Sequence, residues 1–309
     1  MNKNQWQYLK PGDIVDIIAP ASQCPRESLE EGVVFLKSLG LIPRIPNDII
    51  GGEIYLAAPL ETQLKHFKAA IKSDSKAIWC LRGGYGSMRL IPHLKKFAPP
   101  KVSKILIGFS DITSLHLYLN NKWGWPTLHA RNLSQLSISK SKNADQKNTM
   151  AVLFGKKKSL EFKGLVPIND LARNSKKIRG KITGGNFRIV QSSIGTDWQV
   201  APRGKILFLE DVGERGYSVD RMLEQLTQAE ILNSGIKALV FGDFTESEEK
   251  SGKDFTLHAM KKFAATAPFP VLYGLKAGHG KVNHPIPFET FCELELGKRG
   301  KLLCYYGGK

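Results

Sequence analysis

The chain has 309 residues, of which 42% are hydrophobic and 24% charged, and this composition is typical of a globular protein with one or two domains. No apolar run approaches the roughly 20 residues that cross a bilayer, and residues 1–6 lack the apolar core of a secretory signal, so we expect a cytoplasmic protein without a membrane partner. The four cysteines form no C-x-x-C pair and no nucleic-acid-binding motif accompanies the net charge of +17, so the sequence favours neither a zinc site, nor a disulfide framework, nor specific nucleic-acid binding.

The first 130 residues alternate short apolar strands with segments of helical periodicity. The alternation predicts a parallel, doubly wound sheet, in which ligands bind at the carboxyl ends of the strands. The predicted strands are 13–20, 77–81, 105–107 and 126–128, and the predicted helices are 28–39 and 60–71.

Residues 137–179 are polar and rich in lysine and asparagine, and we place a domain boundary within them, at about residue 160. The sequence thus predicts an amino-terminal α/β domain over 1–160 and a mixed α/β domain over 161–309. In the second domain the predicted strands are 205–209, 238–241 and 271–273, the helices are 219–231 and 255–265, and 291–296 forms an antiparallel pair with 301–305.

Ser110 is the candidate nucleophile, in the segment Gly108-Phe109-Ser110-Asp111 that follows an apolar strand and precedes a helical pattern. A hydroxyl at this position lies beside backbone N–H groups and the positive end of a helix dipole, which can hold an oxyanion. Ile112 occupies the position of the second glycine in a G-x-S-x-G elbow. Serine and aspartate are also ordinary N-cap residues, so this segment alone leaves a structural role open.

A serine nucleophile needs a base, and His279 is favoured because it lies in the uncrowded loop Gly278-His279-Gly280. His284 is its nearest rival, and His129 follows a strand whose end faces the same sheet edge. The remaining histidines fit helical or surface positions: His66, His93, His116 and His258.

Glu210 is the candidate group that orients the base, because it ends the apolar strand 205–209. A carboxylate there is costly to desolvate unless it has a partner. Asp211 and Glu214 remain alternatives, and Glu210 and Asp211 also suit helix-capping or surface positions.

The segment Arg82-Gly83-Gly84-Tyr85-Gly86 directly follows a predicted strand. Three glycines let backbone N–H groups approach a ligand closely, so the loop is either an anion-binding nest or a tight turn. It matches neither the P-loop nor the G-x-G-x-x-G pattern.

Together these motifs resemble the LD-carboxypeptidase family, serine peptidases whose best-known members trim peptidoglycan tetrapeptides. The resemblance covers nearly the whole chain, in the family's order. The matching segments are Leu9-Lys10-Pro11-Gly12-Asp13, Ala19-Pro20-Ala21-Ser22, Arg82-Gly83-Gly84-Tyr85-Gly86, Gly108-Phe109-Ser110-Asp111, Gly184-Gly185-Asn186, Leu207-Phe208-Leu209-Glu210-Asp211-Val212-Gly213-Glu214 with Asp220-Arg221, and Gly278-His279 with Pro287.

The resemblance implies a triad of Ser110, Glu210 and His279, with backbone N–H groups of Asp111 and of the loop near Gly84 holding the oxyanion. It implies a flavodoxin-like amino-terminal domain containing the serine, a smaller carboxy-terminal domain containing the other two residues, and an active site between them. It also implies a homodimer that uses no metal or cofactor.

The function expected from the resemblance is removal of the terminal D-Ala from cytoplasmic muropeptide tetrapeptides during peptidoglycan recycling. The family's microcin-immunity branch, which cleaves acyl bonds in peptidyl- or aminoacyl-nucleotide toxins, is one alternative. A non-catalytic binding protein is another. The chain departs from the family at His129-Ala130-Arg131-Asn132, where His-Gly-Pro-Met is common, and Arg131 is either a surface residue or a ligand for a substrate carboxylate.

Overall fold

The computed structural model describes residues 6–51 and 54–307, which divide into two compact units. The first unit comprises the chain as far as Lys158, together with 284–287 and 306–307. The second comprises 159–283 and 288–305. Each unit therefore combines segments that are distant in the sequence.

The first unit is built on a six-stranded sheet with the order β11-β5-β4-β3-β1-β2. The neighbours β1–β2, β1–β3, β3–β4 and β4–β5 pair in parallel, which confirms the parallel sheet predicted from the alternating pattern. The order 2-1-3-4-5 within it is that of flavodoxin-like folds. The strands are β1 Ile14–Ile18, β2 Ile42–Arg44, β3 Ala77–Cys80, β4 Ile105–Gly108, β5 Thr127–His129 and β11 Ile286–Phe288.

Every residue of β3 and β4 is buried, which explains why these two strands read as unbroken apolar runs in the sequence. Short turns of 3-10 helix follow them at Ser87–Leu90 and Ser110–Ile112. The helices of this unit are α1 Arg26–Ser38, α2 Leu60–Lys72, α3 Ile91–Leu94, α4 Thr113–Tyr118 and α5 Ala144–Leu153, with a π-helical turn at Leu119–Trp123 and a 3-10 turn at Leu133–Gln135.

The second unit is a closed barrel of seven strands with the order β10-β6-β13-β12-β7-β8-β9. Pairing is parallel from β7 through β8 and β9 to β10 and antiparallel around the rest of the barrel. The strands are β6 Ser159–Pro167, β7 Lys177–Asn186, β8 Ile206–Val212, β9 Ala238–Thr245, β10 Val271–Tyr273, β12 Phe291–Glu295 and β13 Gly300–Tyr305, and the helices are α6 Asp170–Arg173, α7 Phe187–Ser192, α8 Gly216–Gln228 and α9 Thr256–Ala264, with a 3-10 turn at Leu232–Ser234.

The polar stretch 137–179, in which the sequence pattern predicted no helix or strand, contains α5, β6 and the start of β7. Helix α5 buries the polar residues Asp145, Gln146 and Thr149, so an apolar face is missing from its sequence pattern. Strand β6 alternates buried and exposed residues only in part, and it closes the barrel by pairing with β13 and β10, far away in the chain. Local periodicity therefore did not predict either element.

Candidate active site

Ser110 lies in the turn between β4 and α4 with a φ angle of 64°, in the left-handed region that residues other than glycine rarely adopt. Such a conformation costs about 1–3 kcal/mol and persists only when the surrounding structure enforces it. A sharp strand-to-helix turn of this kind holds the nucleophile in α/β-hydrolases. The strain is therefore an observation in favour of a functional serine.

The glycine loop that follows β3 lies directly against Ser110. A Cβ atom built on Gly83 would be 2.9 Å from the Ser110 Cβ and 3.3 Å from its Oγ, so a side chain at this position would crowd the hydroxyl. Gly84, with a φ angle of 96°, instead faces Ser22, whose Oγ accepts the Tyr85 N–H at 3.0 Å. Ser22 thus fixes the loop, a role that sequence reasoning did not assign to it.

Asp111 anchors the Ser110 turn through its buried side chain. The carboxylate accepts the Ser87 N–H at 2.8 Å, and the Ser87 hydroxyl donates to the Asp111 carbonyl at 2.7 Å. Burial raises the pKa of Asp111, and the hydrogen bonds from Ser87 and from the Gly86 backbone oppose that rise. The backbone N–H of Asp111 lies in the first turn of the helical segment, where N–H groups lack intrahelical acceptors.

Glu210 and His279 form a hydrogen-bonded pair, with 2.7 Å between the Glu210 Oε2 and the His279 Nδ1. The Glu210 side chain is 0% exposed and that of His279 is 16% exposed. Burial lowers the pKa of His279, but the hydrogen bond and charge of Glu210, with the charges of Asp211 and Glu246, outweigh it and hold the pKa above its usual value. The buried carboxylate thus favours the imidazolium form.

Glycines make room for this pair. A Cβ on Gly278, which has a φ angle of 121°, would be 2.4 Å from the Glu210 Oε2, and one on Gly242 would be 3.0 Å from the Glu210 Cβ. The Asn283 side chain accepts the Gly278 N–H at 3.0 Å and holds the loop against the strand. Within the described part of the chain, the second carboxylate oxygen of Glu210 is buried without a hydrogen-bond partner.

Asp211 and Glu214, the alternatives to Glu210, contact other residues. Asp211 accepts hydrogen bonds from the Asn186 side chain at 2.7 Å and the Arg188 N–H at 2.9 Å, at the start of α7. Burial, with a contribution from the Glu210 charge, raises the pKa of Asp211 to about 7. Glu214 pairs with the Arg188 guanidinium at 2.6 Å. Of the three candidate carboxylates, the one that is hydrogen-bonded to His279 is therefore that of Glu210.

The rival histidines have other surroundings. His284 belongs to the first unit, where its Nδ1 lies 3.4 Å from the Asn148 side chain. His129 is completely buried and packs edge-to-face on Phe109, with 5.6 Å between the ring centroids. His116 is also buried, with its Nε2 2.9 Å from the Gly108 carbonyl, and burial lowers its pKa to about 4.

Arg131, which the sequence offered as a ligand for a substrate carboxylate, contacts other residues of the protein instead. Its guanidinium forms an ion pair with the buried Asp145, and its carbonyl accepts the Trp79 indole N–H at 3.0 Å. Both contacts lie within the first unit. They assign Arg131 a structural role, linking β5 to α5.

Two further properties of residues 6–51 and 54–307 concern metal binding and membrane insertion. No cluster of three or more histidine, cysteine, aspartate or glutamate side chains there is arranged to hold a metal ion. None of the described helices has both the length and the apolar character needed to cross a membrane.

Comparison with known protein families places the chain. Residues 15–130 match the LD-carboxypeptidase N-terminal domain, and residues 179–294 match the LD-carboxypeptidase C-terminal domain. The chain belongs to the LD-carboxypeptidase family. The resemblance inferred from the order of short motifs is thereby confirmed.

Individual relatives agree with this assignment. A putative carboxypeptidase of Rickettsia conorii is 38% identical over 94% of this chain and 90% of its own length. The murein tetrapeptide carboxypeptidase of Pseudomonas aeruginosa is 32% identical, over 91% of this chain and 92% of its own. The crystal structure of muramoyltetrapeptide carboxypeptidase from Oxalobacter formigenes superimposes with a TM-score of 0.81 and 26% identity, covering 96% of this chain and 100% of that one.

A more distant relative is the microcin C7 self-immunity protein MccF of Escherichia coli, 22% identical over 87% of this chain and 84% of its own length. Both branches weighed from the sequence thus have members similar to this chain. The identities are higher for the murein peptide branch.

Proposed function

We propose that this protein is a serine carboxypeptidase that hydrolyses the L,D-amide bond of muropeptide tetrapeptides and releases the terminal D-Ala. The observation that supports it most directly is the hydrogen bond between buried Glu210 and His279 in a chain of the LD-carboxypeptidase family. The nucleophile in this proposal is Ser110, whose left-handed backbone and glycine-lined surroundings support the assignment.

The proposed reaction follows the logic of a serine triad. His279 takes the hydroxyl proton of Ser110 through Nε2, because Nδ1 donates to Glu210. The Ser110 oxygen attacks the scissile carbonyl, and the proton passes from His279 to the leaving amine of D-Ala. Water, deprotonated by His279, then cleaves the acyl-enzyme and restores the hydroxyl. Glu210 holds the imidazole tautomer and stabilises the imidazolium.

We assign the oxyanion donors to the backbone N–H groups of Asp111 and Gly84. The first lies in the opening turn of a helix, where the dipole favours negative charge. The second belongs to the peptide unit that follows Gly83, the residue packed against Ser110. Removing one such donor from a hydrolase typically costs about 100- to 1,000-fold in kcat.

The formal net charge of +17 suits a substrate that bears several carboxylates, since a positive field raises the encounter rate with anions. By analogy with the family, we assign the reaction to cytoplasmic recycling of wall fragments and the active form to a homodimer. Cell fractionation and light scattering of the purified protein test these two points separately from the chemistry.

The decisive experiment is mass spectrometry of the wild-type protein and of Ser110→Ala, each incubated with a muropeptide tetrapeptide. We expect the wild type alone to remove one alanine. Ser192→Ala, which changes an exposed serine of α7, is the matched control and should remain fully active. Cleavage by Ser110→Ala at the wild-type rate would overturn the assignment of the nucleophile.

The similarity to the microcin self-immunity protein favours one second candidate, hydrolysis of an acyl-nucleotide. If the wild type leaves the tetrapeptide intact but cleaves a peptidyl- or aminoacyl-nucleotide, this second function replaces the first. A protein that cleaves neither, and whose Ser110→Ala variant keeps its full effect in cells, would be a binding protein.

A further inference from the structure

Two exposed tyrosines lie next to each other on the surface of the first unit. Tyr55 is 70% exposed and Tyr85 is 45% exposed, and their rings meet edge to face with 6.2 Å between the centroids. The Arg89 guanidinium lies over the Tyr85 ring at 5.5 Å and donates to its hydroxyl at 2.9 Å. Two adjacent exposed aromatic rings offer a flat surface with an apolar body and polar hydroxyl groups to a ligand. We call Tyr55 and Tyr85 the tyrosine pair.

The tyrosine pair is attached to the loop that packs against Ser110. The Tyr85 N–H donates to Ser22, and a Cβ atom on Gly86 would be 2.2 Å from the Leu56 side chain, so the segment with Tyr55 packs closely on the glycine loop. The Ala57 N–H donates to the Ala21 carbonyl at 2.8 Å and fixes the same segment. Both rings therefore stand on backbone that several contacts hold in place.

Tyr85 is close in sequence to the part of the glycine loop that contacts Ser110. Gly83 packs against the Ser110 side chain, and Tyr85 is two residues further along. Because two residues span at most about 7 Å, the Tyr85 Cα lies within about 7 Å of the Gly83 Cα. In a tetrapeptide that loses its last residue, three residues separate the scissile bond from the sugar, and they span at most about 11 Å. A peptide of that length, bound with its scissile bond at Ser110, can extend along the glycine loop as far as Tyr85.

We propose that the tyrosine pair is a subsite for the sugar ring at the amino end of the muropeptide, an inference that rests on the proposed function. The sugar is the part of the substrate with an extended C–H face, which stacks on an aromatic ring, and with hydroxyl and amide groups that pair with Arg89 and the tyrosine hydroxyls. Aromatic side chains line many ligand sites, and the tyrosine hydroxyl adds a polar group that can hydrogen-bond to the ligand.

The test compares kcat/KM for two substrates, the tetrapeptide linked to N-acetylmuramic acid and the same tetrapeptide without the sugar. The ratio is kcat/KM for the sugar-linked substrate divided by kcat/KM for the free tetrapeptide. In Tyr55→Ala we expect this ratio to fall about three- to tenfold, because the stacking of one aromatic ring contributes a binding energy that corresponds to such a factor. The change should appear as a higher KM for the sugar-linked substrate. Tyr55→Phe keeps the ring and should keep the ratio close to that of the wild type.

The chain offers a matched control in Tyr217, which is 55% exposed and lies 5.4 Å below the Arg221 guanidinium in the second unit. Tyr217→Ala should leave the ratio unchanged. A wild-type ratio in Tyr55→Ala would overturn the sugar subsite while leaving the proposed function intact. A change of oligomeric state in Tyr55→Ala would overturn it too, because the pair would then be a contact between copies. A wild type that cleaves neither substrate would overturn the proposed function and the subsite together.

Discussion

Glu210 and Asp211 are consecutive residues of β8 whose carboxylates bind different elements. The Glu210 Oε2 lies 2.7 Å from the His279 Nδ1, whereas Asp211 accepts the side-chain amide of Asn186 and the Arg188 N–H at the start of α7. The register between β8 and β9 shifts between Leu209 and Asp211, and a bulge of this kind re-aims side chains at functional sites. Two consecutive carboxylates thus have different partners: Glu210 binds His279, and Asp211 binds the start of α7.

This division predicts opposite effects of two isosteric changes. Glu210→Gln should lower kcat about 100- to 10,000-fold, because an amide does not stabilise the imidazolium or fix its tautomer. At alkaline pH, where His279 is neutral, the free energy of unfolding of this variant should change little by comparison. Asp211→Asn should lower the free energy of unfolding by about 1 kcal/mol, as for loss of a helix-capping contact, and lower kcat less than Glu210→Gln does. Steady-state kinetics and urea unfolding of both variants measure this, and equal losses of kcat would contradict the assignment.

The raised pKa of His279 predicts the acidic limb of the pH profile. The base must be neutral to accept the proton of Ser110, so kcat/KM should fall as the pH decreases through the His279 pKa, which lies above the ordinary value of 6.5. The Glu210→Gln change should move that limb to lower pH, because burial then acts on the imidazolium without the opposing carboxylate.

The pH dependence of stability has the opposite direction to that of kcat/KM. A histidine whose pKa is raised by folding stabilises the folded state fully below its unfolded pKa, and this contribution is lost as the pH rises through the folded value. The loss of free energy of unfolding in Glu210→Gln should therefore be larger at acidic than at alkaline pH.

For the kinetic profile, an acidic limb of kcat/KM that Glu210→Gln does not move would exclude His279 as the titrating base.

Local sequence pattern was enough to single out the candidate residues of the proposed site. Ser110 follows the buried strand β4, and Glu210 follows the apolar run 206–209 inside β8. A polar residue at the end of an apolar run is unusual enough to single out. His279 lies between glycines, one of which packs on Glu210. The choice among Glu210, Asp211 and Glu214 was beyond local pattern, because it depends on the bulge in β8 and on which strand each side chain faces.

Other features depend on contacts that are distant in sequence. The barrel closes because β6 pairs with both β13 and β10, and nothing in the composition of Ser159–Pro167 specifies those partners. The left-handed conformation of Ser110 was also not predictable, since glycine is the usual sign of such a turn and the residue here is serine. Glu289 is a similar case, with a φ angle of 59° and an ion pair to Lys205.

The ion pair between Arg131 and Asp145 predicts a stability effect. Arg131→Ala leaves Asp145 buried without its cation, which typically costs about 3–5 kcal/mol. The double variant Arg131→Ala with Asp145→Ala should recover part of that loss, because no uncompensated charge remains. Urea unfolding of the single and double variants measures this effect. A variant with normal stability and a raised KM would instead show that Arg131 binds the substrate carboxylate.

The close approach of Gly83 to Ser110 predicts that a single methyl group displaces the nucleophile. In Gly83→Ala the new Cβ would lie 2.9 Å from the Ser110 Cβ, and a shift of the hydroxyl by a fraction of an ångström follows. We expect kcat to fall about 100-fold, since misplacement of a reacting group by about 1 Å has effects of this size. Gly51→Ala is the matched control, because a Cβ there meets no atom of the residues that the structure describes within 4 Å. If Gly83→Ala kept wild-type kcat, then the glycine loop would not border the reacting group, and the assignment of the Gly84 N–H to the oxyanion would fail with it.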